Sequence, residues 1–204
     1  MTYDPNNPSA LETKARLAAP YVTGKQVVDV GVSSISLFHS IQQSAAGAIG
    51  IVCSPLSPPA LLLAGKPIVR GNALRLPVPD RIAQTVLSFG TLPYQRQKQD
   101  FFRELVRITT PGGYLLVEAA NRSSFASIQK PLAATVPRLD LLVEIKMILP
   151  HELELKEVLG VQLVPRTTPL LERFGESLDR VVSGSLLRFF STALILVLRK
   201  RDDL

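Results

Sequence analysis

The residues able to do chemistry in this chain are few. Asp29-Val30-Gly31-Val32-Ser33-Ser34 sets a carboxylate at the end of an apolar run, with a glycine just beyond it. A strand-end carboxylate either helps hold a ligand loop or caps nearby backbone amides, and the two roles weigh equally here. His39 falls on a short helical stretch, where a lone imidazole is more often packed or solvated than a base. His151 precedes Glu152 and Glu154, but the spacing fits neither H-E-x-x-H nor another metal-ligand pair, and a helix start accounts for it. Ser33 and Ser34 lack the G-x-S-x-G elbow of a hydrolase nucleophile. Cys53 is the single cysteine, so it forms neither an internal disulfide nor a cysteine-rich zinc site. It reads as inert packing, and such cysteine usage suits a reducing, cytoplasmic compartment. Tyr94, in the run Phe89 to Tyr94, either orients a substrate or covers the sheet edge.

These residues need a scaffold, and the pattern of the chain supplies one. The 204 residues are 46% hydrophobic and 20% charged, which excludes a disordered chain and fits a single domain. We expect that domain to span 1–204, with an N-terminal extension over 1–20, a core over 26–122 and a C-terminal part over 123–204. The first ten residues lack the apolar core of a secretory signal. Short β-branched runs alternate with helical stretches. Strands are expected at Gln26–Val30, Ala48–Cys53, Pro67–Arg70, Thr85–Phe89 and Tyr114–Ala119. Helices are expected at Ser36–Ala46, Pro55–Leu63 and Gln97–Ile108, the last carrying Phe101, Leu105 and Ile108 on one face. Pro111-Gly112-Gly113 should stop that helix and turn the chain. Beyond Asn121 the pattern suggests a helical region, a weak strand near Leu141, a helix at His151–Leu159, a strand at Val161–Pro165 and a long helix from Leu170. A last strand at Ala193–Leu198 would run antiparallel at the sheet edge. Val181–Leu198 is apolar, but Arg188 and Ser183-Gly184-Ser185 interrupt it, so it reads as a helix end and a buried strand rather than a membrane span. Strand–helix alternation implies parallel pairing, an open doubly wound sheet, and ligands held beyond the carboxyl ends of the strands.

Several blocks resemble the class I S-adenosylmethionine-dependent methyltransferases, in the small-molecule methyltransferase-like group. Gly71-Asn72-Ala73 through Asp80 resembles the loop after the third strand. Val86 to Leu92 resembles the fourth strand and its loop. Phe102 to Arg107 with Pro111-Gly112-Gly113-Tyr114-Leu115-Leu116-Val117-Glu118 resembles the helix, turn and fifth strand. Leu149-Pro150-His151-Glu152-Leu153 and the closing Leu196 to Lys200 also resemble family members. The resemblance is strong over residues 26 to 122 and looser beyond. It implies a Rossmann-like α/β fold: a mostly parallel seven-stranded sheet with an antiparallel edge strand and helices on both faces. It also implies S-adenosylmethionine as cofactor, held by the positions of Asp29, Gly31, Ser33, Ile35, Val52, Asn72, Ala73 and Ser88.

At those positions the chain departs from the family pattern. The glycine-rich G-x-G-x-G run keeps only Gly31, and Ile35 adds bulk expected to reach toward the cofactor's methionine end. Val52 stands where the family has an acid for the ribose hydroxyls, and a valine accepts no hydrogen bond. Asn72 replaces an aspartate beside the adenine amine, a milder change. The expected function is therefore a methyltransferase-like protein with a degraded cofactor site, acting as a non-catalytic partner or regulatory subunit. A protein partner or second copy would meet the apolar region Leu186–Leu198. The alternatives are an active methyltransferase with an atypical pocket for a small or apolar acceptor, and an RNA-binding accessory protein. The net charge of +6 and the basic residues Arg96, Lys98, Arg103 and Arg107 permit nucleic-acid contact without demanding it. No metal site is expected.

Overall fold

A computed structural model describes residues 8–53, 65, 67–121, 124, 142–161 and 191–202. The expected helices at Pro55–Leu63, after Asn121 and from Leu170 lie outside those residues, as does the strand expected beyond Val161.

The described elements run α1 (Pro8–Val22), β1 (Gln26–Val30), α2 (Ile35–Ser44), β2 (Gly47–Val52), β3 (Ile68–Arg70), β4 (Ala83–Ser88), a 3-10 turn (Leu92–Tyr94), α3 (Lys98–Ile108), β5 (Thr109–Ala120), α4 (Leu142–Ile148), β6 (Leu153–Val161) and β7 (Ala193–Lys200). The strands form one seven-stranded sheet in the order β3-β2-β1-β4-β5-β7-β6. Strands β3, β2, β1, β4 and β5 are mutually parallel, and β7 is antiparallel to both β5 and β6. The strand order reverses between β1 and β4, which puts the switch-point crevice at their carboxyl ends.

Alternation along the strands builds two apolar layers. Val28 and Val30 of β1, Leu115 and Val117 of β5, and Leu194, Leu196 and Leu198 of β7 face the layer that holds Phe101, Phe102 and Leu105 of α3 and Ile145 of α4. Val27, Leu116, Ile195 and Val197 face the opposite layer, with Ala10, Ala18 and Val22 of α1 and Leu37 and Ile41 of α2. Both faces of the central strands are thus covered, which explains their continuous apolar runs.

Four details differ from the sequence reading. Residues 8–22, which begin in the expected extension over 1–20 and run two residues past it, form α1, which the alternation of core strands did not announce. The segment expected to be a helix at His151–Leu159 is strand β6, because Leu153 through Val161 pairs along β7 from Lys200 to Ala193 and tertiary pairing overrides a helix-compatible composition. Leu141, the centre of an expected weak strand, lies outside the described residues, and the residues that follow it form helix α4. Pro111-Gly112-Gly113 does not end in a separate turn: helix α3 passes directly into β5, and the extra residues make a bulge there, with Gly112 at φ +71°. The last strand is antiparallel as expected, with β6 added outside it at the edge. Consequently Ala193–Leu198 is buried between two strands and is not available as an interface, while Leu186–Phe190 lies outside the described residues.

Candidate functional site

The parallel strands bring the eight positions expected from the resemblance to their carboxyl ends. Asp29 lies near the end of β1 and Gly31 just beyond it, Ser33 and Ile35 lead into α2, Val52 ends β2, Asn72 and Ala73 follow β3, and Ser88 ends β4. Backbone bonds tie the loops together. Gly31 N and Val32 N donate to Ile51 O at 2.7 and 3.1 Å, and Gly71 N donates to Val52 O at 3.0 Å.

Gly31 turns the chain with φ +89°, a conformation that favours glycine. Its open face lies against Thr91, whose hydroxyl would collide with any added Cβ. That hydroxyl donates to Val30 O at 3.0 Å, and the buried Ser88 hydroxyl donates to the same oxygen at 3.1 Å. Two side chains from the β4 end thus close down over the turn. Thr91 was not singled out in the sequence; no local pattern marks a threonine that packs on a glycine sixty residues earlier.

Val52 is 1% exposed and packs with Val32, Phe38 and Ile68. Gly50 lets this cluster approach the strand, since a Cβ there would lie 2.9 Å from Val32, 3.0 Å from Ile68 and 3.1 Å from Phe38. Ile35 is the first residue of α2 and is 36% exposed. Ser33 is exposed, and Ser34 caps α2 by accepting from Leu37 N at 3.4 Å. Asn72 is exposed and spends its side-chain oxygen on Leu74 N at 2.9 Å, while Ala73 is buried beside Leu76.

Asp29 is 4% exposed on the α1 face of β1. Burial pushes its carboxyl up to about 7, and the Lys14 charge pulls it back. Lys14 comes from α1 and pairs with Glu118 of β5 at 2.9 Å, with both side chains 1% exposed. Its ammonium also lies 5.8 Å from the centre of the Phe89 ring. Sequence reasoning missed this cluster. The available signal was Lys14 set between Ala10 and Ala18 at four-residue spacing, a charge inside a small-residue stripe.

The remaining candidates take bland places. Burial, with the Asp29 charge second, pushes the Cys53 thiol up to about 11, so it stays a neutral packing group. His39 is exposed and meets Gln43 at 3.2 Å. His151 is exposed beside Glu152, and Tyr94 is 66% exposed. Among the described residues no cluster of three His, Cys, Asp or Glu could hold a metal ion. The basic helix is largely committed. Arg103 pairs with Asp100 at 2.8 Å, and Arg107 binds Glu104, Asp80 and the carbonyls of Val78 and Leu76. The Arg107 hydrogen bond holds the Glu104 carboxyl below its usual range.

With this geometry in place, comparison shows what the chain is similar to. Residues 28–117 match the family described as methyltransferase domain, within the stretch where the sequence resemblance is strongest. No curated protein sequence matches the chain significantly. Solved structures share its fold. An S-adenosylmethionine-dependent methyltransferase from Thermotoga maritima superposes with a TM-score of 0.69 at 16% identity, covering 95% of this chain and 90% of that one. A second, from Mesorhizobium loti, gives 0.68 at 16% identity, covering 95% and 99%. A chain from the Haloferax volcanii complex between the Trm112 methyltransferase activator and a methyltransferase gives 0.67 at 17% identity, covering 96% and 90%. No helix among the described residues is long and apolar enough to cross a membrane.

Proposed function

We propose that this chain is a non-catalytic member of the methyltransferase fold that works by pairing with another protein. The observation that carries the reading is Val52. It occupies the position from which the family's acid would grip a ribose, and it is spent instead on an apolar cluster with Val32, Phe38 and Ile68. A lost charged hydrogen bond weakens binding by about 1.5–3 kcal/mol, or roughly tenfold to a hundredfold. Thr91 covering Gly31 and Asn72 turned onto Leu74 N act in the same direction. Together these contacts argue against a tight seat for S-adenosylmethionine in this chain.

The partner in this reading is a protein, and the Haloferax volcanii assembly of a methyltransferase-fold chain with an activator is the precedent on a shared fold. Its setting is cytoplasmic, in keeping with the lone reduced Cys53. The alternative of an active enzyme with an unusual pocket rests on the family match and on the preserved Gly31 turn. Calorimetric titration with S-adenosylmethionine and S-adenosylhomocysteine decides between them. Silence at ligand concentrations up to the millimolar range supports the non-catalytic reading. Micromolar binding by the wild-type chain overturns it and turns attention to methyl acceptors.

A further inference from the structure

The cluster under α1 asks for an explanation that the fold alone does not give. The core-facing stripe of α1 runs Ala10, Lys14, Ala18, Val22, each 2% exposed or less. Three of these are small or apolar, and the fourth is a lysine. A buried ion pair is commonly no more stabilising than apolar residues of similar volume. Glu118 of β5, however, pairs with this ammonium directly, and Asp29 of β1 lies within reach of its charge; a buried carboxylate left without a counter-charge would be costly. Phe89 adds a ring face, the third element of a seat for an organic cation. The location matters as well. Asp29 lies two residues before the Gly31 turn and Phe89 follows the last residue of β4, so the seat borders the β1/β4 switch point.

We propose that Asp29, Glu118 and Phe89 form a cation-binding pocket beside the switch-point crevice, and that Lys14 is its tethered occupant, making α1 an internal plug. The pocket would accept a small primary ammonium ion in place of the lysine side chain, and no external cation enters while α1 is docked. This deepens the non-catalytic reading and rests on it only for its consequence: the chain fills with its own charge a place that a cationic ligand would need.

Chemical rescue tests the pocket directly. Lys14→Ala removes the ammonium and leaves a slot the length of n-propylammonium. The thermal midpoint, read by circular dichroism, is expected to fall by on the order of 10 °C. Tens of millimolar n-propylammonium should restore at least half of that loss, and n-propanol at the same concentration should restore little. The rescue should shrink when Glu118→Gln is added. If Lys14→Ala does not fold in buffer, the same two additives are compared by refolding yield, with recovery expected from the ammonium alone. Equal effects of the alcohol and the ammonium, no effect of the ammonium in either readout, or a rescue undiminished by Glu118→Gln would each overturn the proposal. None of these measurements contains S-adenosylmethionine. Failure of the pocket therefore leaves the non-catalytic reading standing, and binding of that cofactor by wild type leaves the rescue result standing.

Discussion

Replacing Asp29 by asparagine separates the charge of this residue from its shape. The carboxyl is raised from 3.8 in the unfolded chain to about 7 in the fold, chiefly by burial. The folded protein therefore binds this proton more tightly than the unfolded chain does between those values. Its stability falls as pH rises through that window, and the full cost is felt above it. A shift of about three units corresponds to about 4 kcal/mol. The amide keeps the shape and drops the titration. Lys14 retains Glu118 in the variant, so no buried ammonium is stranded. Asp29→Asn should thus match wild type within about 1 kcal/mol near pH 4 and exceed it by about 2–4 kcal/mol at pH 8. With a urea dependence of roughly 2 kcal/mol per molar, the midpoint should rise by about 1–2 M at the higher pH. The chain has no tryptophan, so far-UV circular dichroism is the suitable probe. Other groups titrate over the same range, and the wild-type minus variant difference isolates Asp29. A difference that stays constant with pH, or a variant weaker than wild type at pH 8, would refute the electrostatic account.

Other substitutions test the geometry around the switch point. Gly31→Ala meets both a positive φ and the Thr91 hydroxyl, and should cost about 2 kcal/mol or more in urea unfolding; adding Thr91→Ala should recover part of that, with the dihedral strain remaining. Arg107→Ala releases the turn from Leu76 to Asp80 and should cost about 1–2 kcal/mol by the same measurement, with Arg107→Lys restoring less than half because it lacks the forked donor geometry. Cys53 should react slowly with a disulfide reagent at pH 8 in the folded protein and at the ordinary thiol rate in urea, since burial raises its thiol to about 11; fast reaction of the folded chain would contradict that environment.

Much of the sheet was legible because local patterns and pairing agree there. β1, β2, β4 and α3 fall within a few residues of the positions expected, since β-branched runs and a helical apolar stripe carry their own periodicity. Gly31 and Val52 could be placed at the carboxyl ends of strands because the runs before them carry that period: Gly31 follows β1 and Val52 ends β2. What happens to the side chains once there was not legible. The contact of Thr91 with Gly31 and the pairing of Lys14 with Glu118 span stretches of chain that no window of sequence includes.

The sequence by itself determined the α/β class, the parallel core strands and the glycine turn after β1, because each is a property of residue type and short-range period. The tertiary structure decided that Leu153–Val161 is a strand, since only pairing with β7 selects it over a helix. It decided that Ala193–Leu198 lies inside the sheet rather than facing a partner. It also decided that an ammonium from α1 is buried against Glu118 of β5, because burial of charge is settled by which distant groups meet, and that is fixed only when the chain closes on itself.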